Sequence, residues 1–173
     1  MKIIRADASS YETVRDFYHS LIDEMKSAGR IVTWAKDIYP APEFLKASAE
    51  RHELYLGIED GQIAAAMVSN CDANEGYHDA SWQVDARECE AMVIHALGVH
   101  PRFGGRGFGA EMTRYAIDVA RNAGMKAIRL DVLKGNEPAR RIYVSCGFEP
   151  VGWMQLYYEN TGLTDFELLE YAL

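Results

Sequence analysis

The run CEAMVIHALGV, Cys89 to Val99, constrains the fold more than any other stretch of the chain. Both alternating sets of side chains are apolar, so a strand built from it must be covered on each face. Such a strand belongs inside a sheet that carries helices, which places the chain in the α/β layered class. The flanking patterns agree. Lys2 to Ala6 reads as a first strand, and Ser9 with Glu12 has the S-x-x-E spacing of a helix capping box. Val14, Phe17, Tyr18, Leu21, Ile22 and Met25 then recur at helical spacing until Gly29. Residues 30 to 41 are irregular and aromatic, and Pro42 to Arg51 reads as a short helix. His52 to Ile58 and Gln62 to Ser69 are strands joined at Glu59-Asp60-Gly61, a strong hairpin signal. Residues 70 to 81 read as a loop, with a further strand beginning at Trp82 to Val84.

Beyond the central strand, Phe108 to Ala123 is an amphipathic helix ended by Gly124, and Lys126 to Leu133 is a second buried strand. Asn136 can N-cap a helix that carries Pro138 in its first turn and stops at Gly147. Trp153 to Tyr158 and Phe166 to Leu173 form the last strands around Asn160-Thr161-Gly162. The expected order is β-α-α-β-β-β-α-β-α-β-β with a mixed sheet, in a single domain over residues 1–173. A length of 173 residues suits about one domain and buries a core without staples.

Composition narrows the function classes. A net charge of −8 disfavours nucleic acid and anionic membrane. Cys71, Cys89 and Cys146 contain no C-x-x-C pair and are odd in number, which fits a reducing cytoplasm. No stretch approaches the roughly 20 apolar residues of a membrane span, and MKIIRADASS has no secretory apolar region. The histidines are dispersed, with no H-E-x-x-H, Cys/His cluster or G-x-S-x-G, so no metal is expected.

Chemistry concentrates in GVHPRFGGRGFGAEMTRY, Gly98 to Tyr115. Five of the fourteen glycines fall within twelve residues here, with Arg102 and Arg106 and no acid before Glu111. The segment joins the central strand to a helix. A helix N-terminus presents N–H groups and a partial positive charge. Glycines let the preceding backbone curl so that successive N–H groups converge on an anion. The combination fits a phosphate or pyrophosphate cradle better than a surface turn. A Walker A loop is absent. Gly105-Arg106-Gly107-Phe108-Gly109-Ala110 matches a dinucleotide fingerprint, G-x-G-x-x-A. That fingerprint places an acid at the end of the next strand, about 20 residues on. Asp131 instead lies inside its strand, so a nucleotide-dependent oxidoreductase rests on this match alone.

Two linked stretches resemble the GNAT superfamily of acyl-CoA-dependent N-acetyltransferases. In LGVHPRFGGRGFG, Leu97, Val99 and Pro101 precede Gly107 and Gly109, which stand at the glycine positions of [QR]-x-x-G-x-[GA]. The chain departs from that pattern at Gly104, where the family has Gln or Arg. In IRLDVLKGNEPARRIYVSCGFEPVG, Asn136, Ala139, Tyr143, Gly147 and Phe148 fit N-x-x-A-x-x-x-Y-x-x-x-G-F. The resemblance implies a mixed, mostly antiparallel central sheet of six to seven strands with about four flanking helices and a splayed central strand. It implies acetyl transfer from acetyl-CoA, with coenzyme A as product, to a primary amine of a small molecule, amino acid or peptide. The attack would be direct, in a ternary complex, and a homodimer is compatible with it. An acyl-CoA-binding sensor without turnover is the alternative within the same resemblance.

Roles follow from the same likeness. The cofactor would be held by Leu97, Gly98, Val99, Arg102, Gly104, Gly105, Arg106, Gly107, Phe108, Gly109 and Ala110, with Asn136, Ala139, Arg140 and Tyr143 from the second stretch. Leu97 to Val99 would pair with the pantetheine arm and donate N–H groups to the developing oxyanion. Gly98 marks either a bulge or a close packing contact. Tyr143 is the candidate acid for the leaving thiolate, two helical turns after Asn136, and is otherwise a core tyrosine. His95 is a candidate proton relay or a hydrogen-bonded core histidine. Glu90 is the second candidate base or a solvated strand end, and His100 would flank the phosphates. Tyr18, Trp34, Tyr39, Trp82 and Tyr157 would line the acceptor pocket, with Asp37 or Glu43 attracting its ammonium.

Overall fold

The computed structural model describes residues 1–29, 32–87 and 89–173. Arg30 and Ile31, in the stretch expected to be irregular, lie outside the described residues. The elements follow the expected order: β1 (Lys2–Arg5), α1 (Tyr11–Ser27), α2 (Pro42–Glu50), β2 (Leu54–Glu59), β3 (Gln62–Asn70), β4 (Ala91–Val99), α3 (Phe108–Asn122), β5 (Ala127–Leu133), α4 (Glu137–Ser145), β6 (Glu149–Tyr158) and β7 (Gly162–Ala172). The strands form one seven-stranded sheet in the order β1-β2-β3-β4-β5-β7-β6. The β4–β5 pair is parallel, while β1–β2, β2–β3, β5–β7 and β6–β7 are antiparallel. The chain divides into two compact units, Met1–Ser69 with His95–Met112, and Asn70–Ile94 with Thr113–Leu173.

In the first unit, the apolar stripe of α1 (Val14, Phe17, Tyr18, Leu21, Ile22) packs with Leu45 and Ala49 of α2 and with Leu54, Leu56, Ala66 and Val68 of the sheet. The β2–β3 hairpin closes on Asp60 and Gly61, both left-handed at φ 50° and 74°, as a two-residue hairpin turn requires. The cap of α1 differs from the expected Ser9–Glu12 pair. A 3-10 turn at Ala8–Ser10 precedes the helix, so capping moves upstream to Asp7. Its carboxylate accepts from the Ser9 amide at 2.9 Å, and the Ser10 hydroxyl accepts from the Asp7 amide at 3.4 Å.

Strand β4 carries a backbone irregularity in this unit. Ala96 adopts φ 50°, a conformation that costs a non-glycine residue about 1–3 kcal/mol. The buried Tyr18 hydroxyl donates to the Ala96 carbonyl at 2.8 Å and fixes the kink. Gly98 serves packing instead: a Cβ there would lie 2.8 Å from Leu21 Cδ1 and 3.2 Å from the Trp34 ring.

In the second unit, β4 pairs with β5 at Ala91↔Ala127, Met92↔Ile128 and Val93↔Arg129. Strand β5 pairs with β7 from Ala127↔Ala172 to Leu133↔Phe166. Tyr77, Val93, Leu156, Phe166 and Leu168 form a buried cluster in it. Trp82 to Val84 is not a strand. The amides of Gln83 and Val84 donate instead to the buried Glu170 carboxylate at 2.8 and 3.0 Å. Arg129 binds the same carboxylate at 2.9 Å, donates to the Val84 carbonyl at 2.8 Å and stacks on Trp82. One carboxylate thus takes the donors that a strand ladder would have used. No helix among the described residues is long and apolar enough to cross a membrane.

Candidate active site

The glycine-rich segment is a continuous strand–turn–helix, and its turn lies within the first unit. Strand β4 ends at Val99, and His100 anchors the exit by donating its amide to the Ala64 carbonyl at 2.9 Å. A 3-10 turn at Pro101–Phe103 follows, and Gly104 ends it by donating its amide N–H to the Pro101 carbonyl at 2.9 Å. A Cβ on Gly104 would stand 3.0 Å from that carbonyl oxygen. The tightness of this turn accounts for glycine where the resemblance has Gln or Arg. Gly105 and Gly107 then take φ 75° and 80°, and α3 begins at Phe108. A Cβ on either of these glycines would meet nothing within 4 Å. Neither glycine position is crowded, so the approach to the N-terminus of α3 carries no Cβ at these two residues, and helix N-terminal amides are the donor type that suits a pyrophosphate.

Arg102 and Arg106 are each held by a carboxylate of the same unit. Arg102 donates to Glu24 at 3.0 Å, and Arg106 pairs with Glu59 while its guanidinium stacks 4.9 Å from the Phe108 ring centroid. The buried His100 ring caps the 3-10 turn and contacts the Ser20 hydroxyl at 3.1 Å. Burial pulls its pKa below the usual histidine value, against the opposing pull of Glu24. His95 lies on β4, partly buried, with its ring edge-on to Phe44 at 5.6 Å.

The residues expected to line the acceptor pocket of this unit have other partners. Tyr18, Trp34 and Tyr39 stack in series at 5.9 and 5.7 Å, and Tyr18 is fully buried. Asp37 takes two bonds of 2.8 Å from Arg15 and contacts His19 at 3.0 Å. The Arg15 guanidinium brings the Asp37 pKa down to about 2.

In the second unit, Asn136 caps α4 by accepting from the Ala139 amide at 3.4 Å. Arg140 donates to the buried Glu167 carboxylate at 2.6 and 3.2 Å. Tyr143 is buried on α4 with its ring 5.8 Å from Phe148. Glu90, directly before β4, accepts from Lys126 Nζ at 2.8 Å and from the Arg87 amide at 2.9 Å. These bonds, Lys126 first, hold its pKa below the ordinary carboxylate value.

Sequence reasoning missed Asp131 as a functional candidate. It lies in the middle of β5, and its Oδ2 accepts from the Tyr77 hydroxyl at 2.7 Å and the Tyr158 hydroxyl at 2.6 Å. Burial raises its pKa above the ordinary aspartate value, and the two phenols partly offset the rise. A carboxyl shifted upward by desolvation, with dedicated hydrogen-bond donors, is what proton-transfer sites provide. The signal was present in IRLDVL, where an acid interrupts an otherwise buried strand. No group of three or more His, Cys, Asp or Glu side chains able to hold a metal ion occurs among the described residues.

Comparison with known proteins bears on this architecture. A profile of the acetyltransferase (GNAT) family matches residues 14–148, a span that contains both the glycine turn and α4. N-alpha-acetyltransferase RimI of Mycobacterium tuberculosis is 29% identical over 128 residues, covering 73% of this chain and 71% of that protein. Mycothiol acetyltransferase of Beutenbergia cavernae is 36% identical over 80 residues, covering 46% of this chain but only 27% of that protein. The fold matches the Salmonella typhimurium protein yncA, solved with its cofactor acetyl-CoA, at a TM-score of 0.71 and 17% identity, covering 99% of this chain and 93% of that one. A strand–glycine turn–helix in the family's sequence pattern, set in the family's fold, leaves one assignment: the chain belongs to the acetyltransferase (GNAT) family.

Proposed function

We propose that the chain transfers an acetyl group from acetyl-CoA to a primary amine of a small molecule, amino acid or peptide, by direct attack in a ternary complex. The observation that carries this reading is the turn at the N-terminus of α3, where Gly105 and Gly107 are both left-handed and a Cβ on either would meet nothing within 4 Å. Helix N-terminal amide donors suit a diphosphate, and acetyl-CoA, with which the fold neighbour yncA was solved, carries one. That cofactor supplies an activated thioester when bound. In this reading Gly105 to Ala110 hold the anionic end, and the extended backbone of Leu97, Gly98 and Val99 pairs with the pantetheine arm. Arg102 and Arg106 serve as outer charges, held ready by Glu24 and Glu59. Asn136, Ala139 and Arg140 present α4, from which Tyr143 gives a proton to the leaving thiolate.

For the base we favour Asp131 over Glu90. A base needs appreciable proton affinity, and burial raises that of Asp131, while Lys126 lowers that of Glu90. His95 remains the candidate relay on β4. Similarity to a protein named for acetylating alpha-amino groups supports a peptide N-terminus among the acceptor classes.

The test is thiol release from acetyl-CoA against primary alkylamines, free amino acids and short peptides, with thermal shift in parallel. Release with one amine class is expected, and Tyr143→Phe should lower kcat more than it raises the KM for acetyl-CoA. Stabilisation without release would turn the reading toward an acyl-CoA sensor. The absence of both release and stabilisation would overturn it.

A further inference from the structure

We infer that Tyr77 and Tyr158 are positioning residues that hold one oxygen of Asp131 so that the other receives the acceptor's proton. The inference rests on the reading of Asp131 as the base. Three elements of the second unit converge here. Tyr77 belongs to a 3-10 turn at Glu75–Asp79, Tyr158 ends β6, and Asp131 lies on β5. Both hydroxyls bind the same atom, Oδ2, at 2.7 and 2.6 Å. Among the described residues Oδ1 accepts no hydrogen bond. Two donors arriving from separate elements fix the carboxylate plane and leave Oδ1 as the proton acceptor.

The phenols are themselves braced. Tyr77 is buried, its ring packs 5.1 Å from Trp82, and the Trp82 indole N–H donates to the Tyr77 carbonyl at 2.9 Å. The Tyr158 ring stands edge-on to Phe166 at 5.2 Å. The surrounding charges leave Asp131 to these two partners. Arg129, two residues earlier on the same face of β5, is consumed by Glu170, whose carboxylate also takes the Gln83 and Val84 amides. From β7 the residue opposite Asp131 is Leu168, and from β4 and β6 the cluster contributes Val93, Met154 and Leu156. The Arg140–Glu167 pair sits one register step away, on the alternate face. In the turn that carries Tyr77, Glu75, His78 and Asp79 are the remaining titratable groups.

The sign follows from the hydrogen bonds. Each phenol donates to the ionised carboxylate and so lowers its pKa against the upward push of burial. Replacing either phenol removes a donor without removing the burial, so Asp131 should hold its proton to higher pH.

The experiment pairs carbon NMR of the Asp131 carboxyl with the pH profile of kcat/KM for acetyl-CoA and a short peptide bearing a free alpha-amino group. The variants are Tyr77→Phe, Tyr158→Phe and Asp131→Asn, the last keeping an oxygen for both phenols. The carboxyl midpoint is expected to rise in each Phe variant, the acid limb of the profile to follow it, and activity to recover at high pH. Asp131→Asn should lose about a hundredfold or more in kcat while melting no lower than the parent protein. A carboxyl midpoint unmoved by either Phe substitution overturns the positioning role while leaving the base in place. A midpoint that moves while the acid limb stays, or an active Asn variant, overturns the base reading and the inference with it.

Discussion

Gly107→Ala separates the backbone cost of the glycine turn from its binding role. Gly107 sits at φ 80°, where an L-residue costs about 1–2 kcal/mol, and its Cβ would meet no protein atom within 4 Å. The fold therefore bears the backbone strain without an added clash. For a chain of this size each kcal/mol lowers Tm by about 2–4 °C, so the free protein should melt about 2–8 °C lower. Under the proposed reading ligand binding should suffer more, because the new methyl would stand in the open space where the diphosphate would lie. At a concentration 100 times its Kd, a ligand stabilises by about 2.7 kcal/mol. A hundredfold loss of affinity leaves about 0.4 kcal/mol at the same concentration. The thermal shift induced by acetyl-CoA should thus nearly vanish. Gly124→Ala is the control, since Gly124 has φ 71°, equally open surroundings and a place after the C-terminal end of α3. It should melt lower yet keep the full shift. If Gly107→Ala also melts lower and keeps the full shift, the turn is not the diphosphate site.

Two further substitutions test the strand that leads to this turn. Gly98→Ala should cost about 1–3 kcal/mol in urea denaturation, because its methyl would press on the buried Leu21 and on Trp34; full stability would remove close packing as the reason for glycine there. Glu90→Gln should melt lower than the parent protein at neutral pH and match it in acid. The depressed pKa of Glu90 contributes stability above the unfolded value, and that contribution is lost as pH falls through the folded one. The Gln variant should retain turnover, and loss of turnover at unchanged stability would make Glu90 the base.

Periodicity made the element order legible because each element owes its existence to local pattern. The apolar run that becomes β4 and the 3.6-residue stripe of α1 need no distant partner to be recognised. The features that were not legible depend on partners far along the chain. Ala96 is a poor left-handed residue, and its kink is held by Tyr18, which lies 78 residues away. Trp82 to Val84 has the composition of a strand. Its amides are taken by Glu170, 87 residues beyond Gln83, and nothing local announces that competitor. Arg102 and Arg106 were legible as charges near a cradle, but not as ion pairs with Glu24 and Glu59.

The same distinction divides the candidate site. In the proposed reading anion holding falls to the backbone, and the sequence writes backbone requirements directly, as glycines at Gly105 and Gly107 where φ is left-handed. Proton handling, in the same reading, falls to side chains whose affinity depends on what surrounds them. Asp131 could be seen from its strand only as an anomaly, an acid that costs free energy when buried. Its partners Tyr77 and Tyr158, 54 and 27 residues away, appear only once the sheet has formed. A substitution in the glycine turn should accordingly act on cofactor affinity whatever the acceptor. Substitutions around Asp131 should act on the pH dependence of transfer and leave that affinity in place.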